Sequence, residues 1–124
     1  MLDNLGSLRR SNYCGDLNLS FENKSATLMG WVHKRRDLGG LIFIDLRDVT
    51  GLMQVVIHPE QTEIFSKAEK VRNEYVIAIK GIVKPRAPEN INKGMPTGEI
   101  ELVAEELYIL NDTLPLPIQI NEAA

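Results

Sequence analysis

Two neighbouring segments of alternating apolar and polar residues, joined by a tight turn, constrain the fold more than any other feature of this chain. In the first, Leu41–Asp48, side chains two residues apart point to the same face of an extended strand. Its apolar face carries Ile42, Ile44 and Leu46. Asp48–Gly51 then forms a short turn, because glycine tolerates a positive φ, and leads into a second strand, Leu52–His58. The inward side chains of that strand are Met53, Val55 and Ile57. The pattern predicts a β-hairpin with one buried face.

The outer face of this hairpin carries residues suited to a nucleic-acid base. Phe43 lies on the polar side of the first strand, and Gln54 points to the same side from the second. An aromatic ring in such a place is more commonly packed under a loop or in a second small core, and that interpretation stays open. The alternative is a stacking platform, in which the Gln54 amide reads a base edge and Arg36 at the rim contacts phosphate or base.

The remaining segments predict further strands and a single helix. The first strand runs from about Ser25 to Arg36, the helix from Pro59 to about Asn73, the fourth strand from Tyr75 to Lys84, and the fifth from Glu99 to about Leu110. Gly81 indicates a bulge or a sharp bend in the fourth strand, and the alternation of the fifth slips after Ala104. A polar loop without secondary structure, Pro85–Thr97, joins these two strands.

The element order, β-β-β-α-β-β, is that of an all-β, five-stranded OB-fold Greek-key barrel with one helix between strands three and four. Such barrels bind oligonucleotides on the face of strands two and three, assisted by two loops. Phe43 and Gln54 lie on those strands, Arg36 lies beside one loop, and Pro85–Thr97 is the other. Four features from distant parts of the sequence therefore converge on one surface, which favours a binding role.

We expect three regions along the chain. Residues 1–24 form an N-terminal extension with a short helix over Leu5–Tyr13, and residues 25–110 form the OB-fold domain. Residues 111–124, with the run Leu-Pro-Leu-Pro, begin a linker to a domain that is absent here.

Charge and composition narrow the possible functions. The formal net charge of −3 argues against general coating of nucleic acid, whereas the basic run at residues 33–36 predicts a locally basic face. The single cysteine, Cys14, excludes an intrachain disulfide and a cysteine metal site. We expect no catalytic residue and no metal, because no histidines and carboxylates cluster. Since no segment resembles a membrane span or a secretory leader, we expect a soluble, cytoplasmic protein.

Short motifs in order along most of the chain resemble those of one family. They are Tyr-Cys-Gly (13–15), Gly-Trp-Val (30–32), Arg-Arg-Asp-Leu-Gly (35–39), Leu-Ile-Phe-Ile-Asp-Leu-Arg-Asp (41–48), Gln-Val (54–55), Arg-Asn-Glu (72–74), Glu-Asn-Ile-Asn (89–92) and Thr-Gly-Glu-Ile-Glu (97–101). Together they resemble the N-terminal anticodon-binding domain of the bacterial-type aspartyl-tRNA synthetases, which are class II enzymes. Gly-Trp-Val also occurs in the asparaginyl and lysyl enzymes, and the longer motifs are more specific to the aspartyl branch.

The resemblance implies roles for individual residues. Phe43 stacks on the middle anticodon base, a uridine, and Gln54 hydrogen-bonds the edge of that base. Arg36 contacts the third base, a cytosine, and Glu101 reads the first, a guanine-type base. The other implied contacts are Lys84, Arg86, Asn90 and Asn92 around the loop of strands four and five, with Lys34 and Arg35 as a supporting basic run. Lys84 and Lys34 stand where the family has arginine, and Leu38 resembles members selective for the aspartate tRNA.

The resemblance also implies what the whole protein does. A full-length member is an aspartate–tRNA ligase that joins aspartate to its tRNA with ATP and Mg²⁺. The 124 residues lack the catalytic domain, so the chain is expected to bind the tRNA anticodon stem-loop without cofactors and to be inactive alone. Full-length members are expected to be homodimers, whereas this chain alone can be a monomer.

Three other interpretations stay open. The first is a free-standing single-stranded nucleic-acid-binding OB-fold protein, although the sequence pI of 5.4 and the single platform phenylalanine disfavour broad binding. The second is a small nuclease, but the sequence lacks the clustered acid–base residues that a nuclease needs. The third is an OB domain that contacts another protein, and binding tests with variants separate it from the rest.

Overall fold

The computed structural model describes residues 10–94 and 97–111. Its regular elements are β1 (Ser25–Leu38), β2 (Leu41–Asp48), β3 (Gly51–Ile57), α1 (Thr62–Ala68), β4 (Val76–Pro85) and β5 (Ile100–Asn111). Short 3-10 turns lie at Cys14–Asp16, Leu19–Phe21 and Pro88–Asn90. The predicted order of five strands, with one helix between the third and fourth, is confirmed.

The five strands close into a barrel in the order β1-β2-β3-β5-β4. Neighbouring strands are antiparallel except for β3 and β5, which run parallel and pair Val55 with Leu102 and Val56 with Val103. Residues Ile42–Asp48 of β2 pair with Gly51–Ile57 of β3 in a continuous register, so the predicted hairpin is present. The closed five-stranded barrel confirms the predicted OB-fold class.

The barrel interior is filled by the alternating aliphatic residues that the sequence predicts. Fully buried side chains include Ile42, Ile44, Leu46, Met53, Val55, Ile57, Ile77, Ile79, Ile100 and Leu102. α1 covers one side of the barrel with Ile64 and Ala68, and Val71 follows beyond its end. Because this interior fixes which face of β2 and β3 points outward, it also fixes the position of the outer-face residues.

A bulge at Gly81 bends the β4–β5 pair. The register shifts between Lys80 and Gly81, whose partners are Glu106 and Ala104, so Glu105 is an extra residue in β5. A Cβ atom on Gly81 would lie 2.2 Å from the carbonyl oxygen of Val103, which only glycine avoids. The irregularities predicted in strands four and five are therefore two halves of one bulge.

The helix is shorter than the predicted span from Pro59 to Asn73, and this prediction was wrong at both ends. Residues before Thr62 form a turn in which the Gln61 N–H donates to the carbonyl of His58. Beyond Ala68, the guanidinium of Arg35 donates hydrogen bonds to the carbonyls of Glu69 and Val71. These two carbonyls therefore have partners without a helix continuing through them.

The segment before β1 packs on the barrel. Cys14 and Leu17 are buried in the main core, and the Asn23 N–H donates to the carbonyl of Val83. The predicted helix over Leu5–Tyr13 falls mostly outside the described residues, and its described part, 10–13, is not helical. The predicted linker lies outside them beyond Asn111. The loop expected to lack secondary structure contains the 3-10 turn Pro88–Asn90.

Candidate nucleic-acid interface

The outer faces of β2 and β3 form the floor of a cleft. Phe43 projects from β2, and two residues further along the same face lies Asp45, which is the register partner of Gln54 on β3. Phe43 is partly exposed, whereas Gln54 is 8% exposed, so the ring is accessible and the amide is held between its neighbours. Strand alternation and the register between β2 and β3 together bring these three side chains to one place.

Arg36 of β1 lies over this floor. It is the register partner of Phe43, and its guanidinium carbon lies 5.9 Å from the centroid of the Phe43 ring. Its Nη2 donates to Oδ1 of Asp45 at 2.9 Å and to Oε1 of Gln54 at 3.4 Å. The positive charge is thus fixed beside the ring and neutralised by a carboxylate.

Gln54 connects this group to β5. While its Oε1 accepts from Arg36, its Nε2 donates to Oε1 of Glu101 at 3.1 Å. Asp45, Arg36, Gln54 and Glu101 therefore form a continuous chain of polar contacts across three strand boundaries. We call these four residues the polar chain. An amide held at both ends presents its edge in one orientation, which suits recognition of a base edge.

The wall of the cleft is the loop between β4 and β5, and Arg86 holds it in place. The Arg86 side chain is 7% exposed; Nε donates to the carbonyl of Ile100 at 2.8 Å and Nη1 to that of Asn90 at 3.3 Å. Burial lowers the pKa of Arg86, and the carboxylates of Glu101 and Asp45 oppose this. Arginine remains charged at neutral pH, so a buried guanidinium stands at the base of the wall.

The floor and wall enclose a cleft of about 370 Å³. Its lining residues are Arg36, Leu38, Phe43, Asp45, Gln54, Arg86, Glu89, Asn90 and Asn92. The lining combines one aromatic ring, several amides and both signs of charge. This composition suits a planar, uncharged group with hydrogen-bonding edges.

The structure brings most of the predicted site residues into this cleft. Six of them line it: Arg36, Phe43, Gln54, Arg86, Asn90 and Asn92. Glu101 reaches it through its hydrogen bond to Gln54. Lys84 lies elsewhere, because its Nζ donates to Oδ1 of Asn23 at 2.7 Å.

The predicted supporting basic run divides into different roles. Lys34 is exposed on β1 and is the register partner of Asp45. Arg35 fastens β1 to the segment after α1 through the carbonyls of Glu69 and Val71, and its Nη2 pairs with Asp37 at 2.8 Å. The two adjacent arginines therefore lie at different surfaces: Arg36 lines the cleft, and Arg35 contacts the segment after α1.

Three lining residues were not among the predicted contacts: Leu38, Asp45 and Glu89. The alternation of β2 places Asp45 beside Phe43, and this was the available signal. Leu38 is 56% exposed at the rim, where the β1–β2 turn begins. Glu89 lies in the 3-10 turn of the β4–β5 loop, and no residue pattern predicts the shape of that loop.

Other site types find no support in the described part of the chain. Within residues 10–94 and 97–111, no group of three histidine, cysteine, aspartate or glutamate side chains could hold a metal ion. None of the helices described is long and apolar enough to cross a membrane.

The barrel is that of an OB-fold nucleic acid binding domain. The chain belongs to the tRNA-anticodon family of these domains, whose family model matches residues 26–110.

Two curated relatives are bacterial enzymes named Aspartate–tRNA(Asp/Asn) ligase. That of Moorella thermoacetica is 52% identical over 122 residues, which cover 98% of this chain and 20% of the relative. That of Endomicrobium trichonymphae is 53% identical over 115 residues, covering 93% of this chain and 20% of the relative. The chain thus spans about a fifth of the length of the relatives it matches.

The chain is also similar in structure to part of a solved aminoacyl-tRNA synthetase. The asparaginyl-tRNA synthetase of Pyrococcus horikoshii, complexed with asparaginyl-adenylate, aligns with a TM-score of 0.72 at 29% identity. The alignment covers 94% of this chain and 25% of that one.

Proposed function

We propose that this chain is the anticodon-binding domain of an aspartate–tRNA ligase and that the cleft receives unstacked anticodon bases. The observation that carries the proposal is the polar chain next to an accessible ring: Phe43 offers a stacking face, while Gln54 is held with its edge fixed. Single-stranded loops are recognised by this combination of stacking and edge hydrogen bonds.

The roles proposed for individual residues are those that the family resemblance implies. Phe43 stacks on the middle base, Gln54 reads its edge, Arg36 contacts the third base and Glu101 the first. Asn90 and Asn92 contact the RNA from the wall, with Lys84 and Lys34 nearer the phosphates outside the cleft. Arg86 contributes mainly by holding the wall, since two of its donors are engaged with carbonyls.

The activity of the full-length protein is part of the same proposal. Ligation of aspartate to tRNA in the cytoplasm, with ATP and Mg²⁺ and as a homodimer, belongs to the remaining four-fifths of such a ligase. We assign no residue of this chain to ATP or Mg²⁺, because the cleft carboxylates of Asp45 and Glu101 are engaged with Arg36 and Gln54.

Selectivity between tRNAs is a separate question with two opposing signals. The relatives' names include both the aspartate and the asparagine tRNA, whereas Leu38 resembles the aspartate-selective members. Binding of the aspartate-type and asparagine-type stem-loops, which differ in the third anticodon base, decides between them. Equal affinities indicate relaxed selectivity.

The test of the main proposal is binding of the 124-residue chain to two anticodon stem-loops. One is of the aspartate type, and the other has its middle uridine changed. We expect the aspartate type to bind more tightly and Phe43→Ala to lose about 1–3 kcal/mol of that binding.

Phe65→Ala is the matched control, because this phenylalanine packs against the core and does not line the cleft. Its loss should lower stability without changing the preference between loops. Equal binding of both loops by the wild type, unchanged by Phe43→Ala, refutes the proposed function.

A further inference from the structure

The cleft contains as many negative groups as positive ones. Arg36 and Arg86 are its guanidinium groups, and Asp45 and Glu89 are carboxylates in the same lining. Glu101 adds a third carboxylate through Gln54. A site that binds phosphate presents positive charge that no carboxylate opposes, so this balance of charge disfavours a phosphate inside the cleft.

Asp45 has the most direct effect on the cleft's charge. Its carboxylate meets Nη2 of Arg36 at 2.9 Å, with side-chain exposures of 18% for Asp45 and 36% for Arg36. This contact holds the guanidinium beside the Phe43 ring and next to Gln54. A nucleic-acid phosphate could pair with Arg36 only by displacing Asp45 or by lying close to its negative charge.

We infer that Asp45 is a positioning and specificity-determining residue, which holds Arg36 for base edges and excludes phosphate from the cleft. This inference deepens the proposed function and rests on it. Uncharged bases then enter the cleft, while phosphates remain at the exposed basic side chains outside, such as Lys34. Specificity increases because phosphate contacts are the same for every sequence and base contacts are not.

The test uses the 124-residue chain with Asp45→Asn, which keeps the side-chain shape and removes the charge. The probes are the two stem-loops and an abasic oligonucleotide, which offers phosphates without bases. Binding is measured over a series of salt concentrations, because the slope of log K against log salt reports the number of phosphates neutralised.

We expect Asp45→Asn to bind the abasic oligonucleotide several-fold more tightly and to steepen the salt slope by about 0.7, the value for one added phosphate on a single strand. Its preference for the aspartate-type loop should fall. Asp45→Glu should retain the wild-type slope. In an Arg36→Gln background, Asp45→Asn should change the slope less than it does alone, because the guanidinium that it releases is missing.

Glu105→Gln is the control for net charge, since this exposed carboxylate lies on β5 outside the cleft lining. The inference is overturned if Asp45→Asn weakens binding to every probe in parallel at an unchanged slope, or changes nothing. If the wild type does not distinguish the stem-loops, the proposed function fails. The salt slope for the abasic oligonucleotide then still decides whether Asp45 excludes phosphate.

Discussion

Asp48, at the end of β2, shows how much one buried carboxylate can hold together. Oδ2 accepts the backbone N–H of Cys14 at 2.7 Å, and Oδ1 accepts the N–H and hydroxyl of Thr50 at 2.8 and 2.7 Å. Burial by itself raises the pKa of Asp48, but these hydrogen bonds outweigh it and the pKa lies below its ordinary value of 3.8. The ionised carboxylate therefore joins the N-terminal segment to the β2–β3 turn.

The lowered pKa of Asp48 sets the sign of a pH effect. Because the folded pKa is below the unfolded one, the stabilisation is fully present above about pH 4 and is lost as the pH falls through the folded pKa. We expect Asp48→Asn to cost about 1–3 kcal/mol at pH 7 and less at pH 2.5. Urea unfolding at both pH values checks this. A cost that is equal at the two pH values contradicts it, and Glu60→Gln, which alters an exposed carboxylate, should change stability little.

The role of a residue was predictable where regular strand alternation sets the direction of its side chain. It was not predictable where a register shift changes that direction. Alternation places Phe43 and Gln54 on one face, and both line the cleft. The contacts of Arg35 with the carbonyls of Glu69 and Val71 were not predicted, because a register shift between Val32 and Lys34 precedes this residue. A bulge of this kind changes which way the following residues point, and no local residue pattern marks it.

At the scale of elements, the β4–β5 loop owes its shape to the side chain of its first residue after β4. Arg86, which directly follows β4, donates hydrogen bonds to the carbonyls of Ile100 and Asn90, and the Asn92 N–H donates to the carbonyl of Gly98. The sequence predicted a long loop but not its 3-10 turn, because no residue pattern shows which carbonyls the Arg86 guanidinium binds. Likewise, no residue pattern marked Glu69 and Val71 as residues beyond α1 whose carbonyls accept from Arg35.

Arg86→Lys tests this loop. Lysine keeps the charge and loses the planar fork that reaches two carbonyls. We expect the free energy of local opening to fall by about 1–2 kcal/mol, so the amides of Asn90 and Asn92 should exchange about tenfold faster. Hydrogen exchange of those amides is the measurement. Lys84→Gln, two residues earlier, should leave loop exchange unchanged, and unaltered exchange in Arg86→Lys shows that the loop is held by other contacts.

At the scale of the whole molecule, the described part of the N-terminal segment belongs to the barrel's core. Cys14 and Leu17 are buried with the strand residues, and burial raises the pKa of the Cys14 thiol well above its ordinary range, so the thiol stays protonated. The division into an extension over 1–24 and a domain over 25–110 remains a prediction. Composition marks a loop there but cannot show which of its apolar residues enters the core.

Leu17 and Leu19 make this point measurable, because they lie two residues apart and differ only in burial. Leu17 is 2% exposed and Leu19 is 42% exposed. We expect Leu17→Ala to cost about 2–5 kcal/mol, the usual range for a buried leucine, and Leu19→Ala to change stability by about 0.5 kcal/mol or less. Urea unfolding of both variants provides the comparison. If the segment folds apart from the barrel, the two substitutions have the same small effect; a large loss confined to Leu17→Ala places the segment within the anticodon-binding domain's own folding unit.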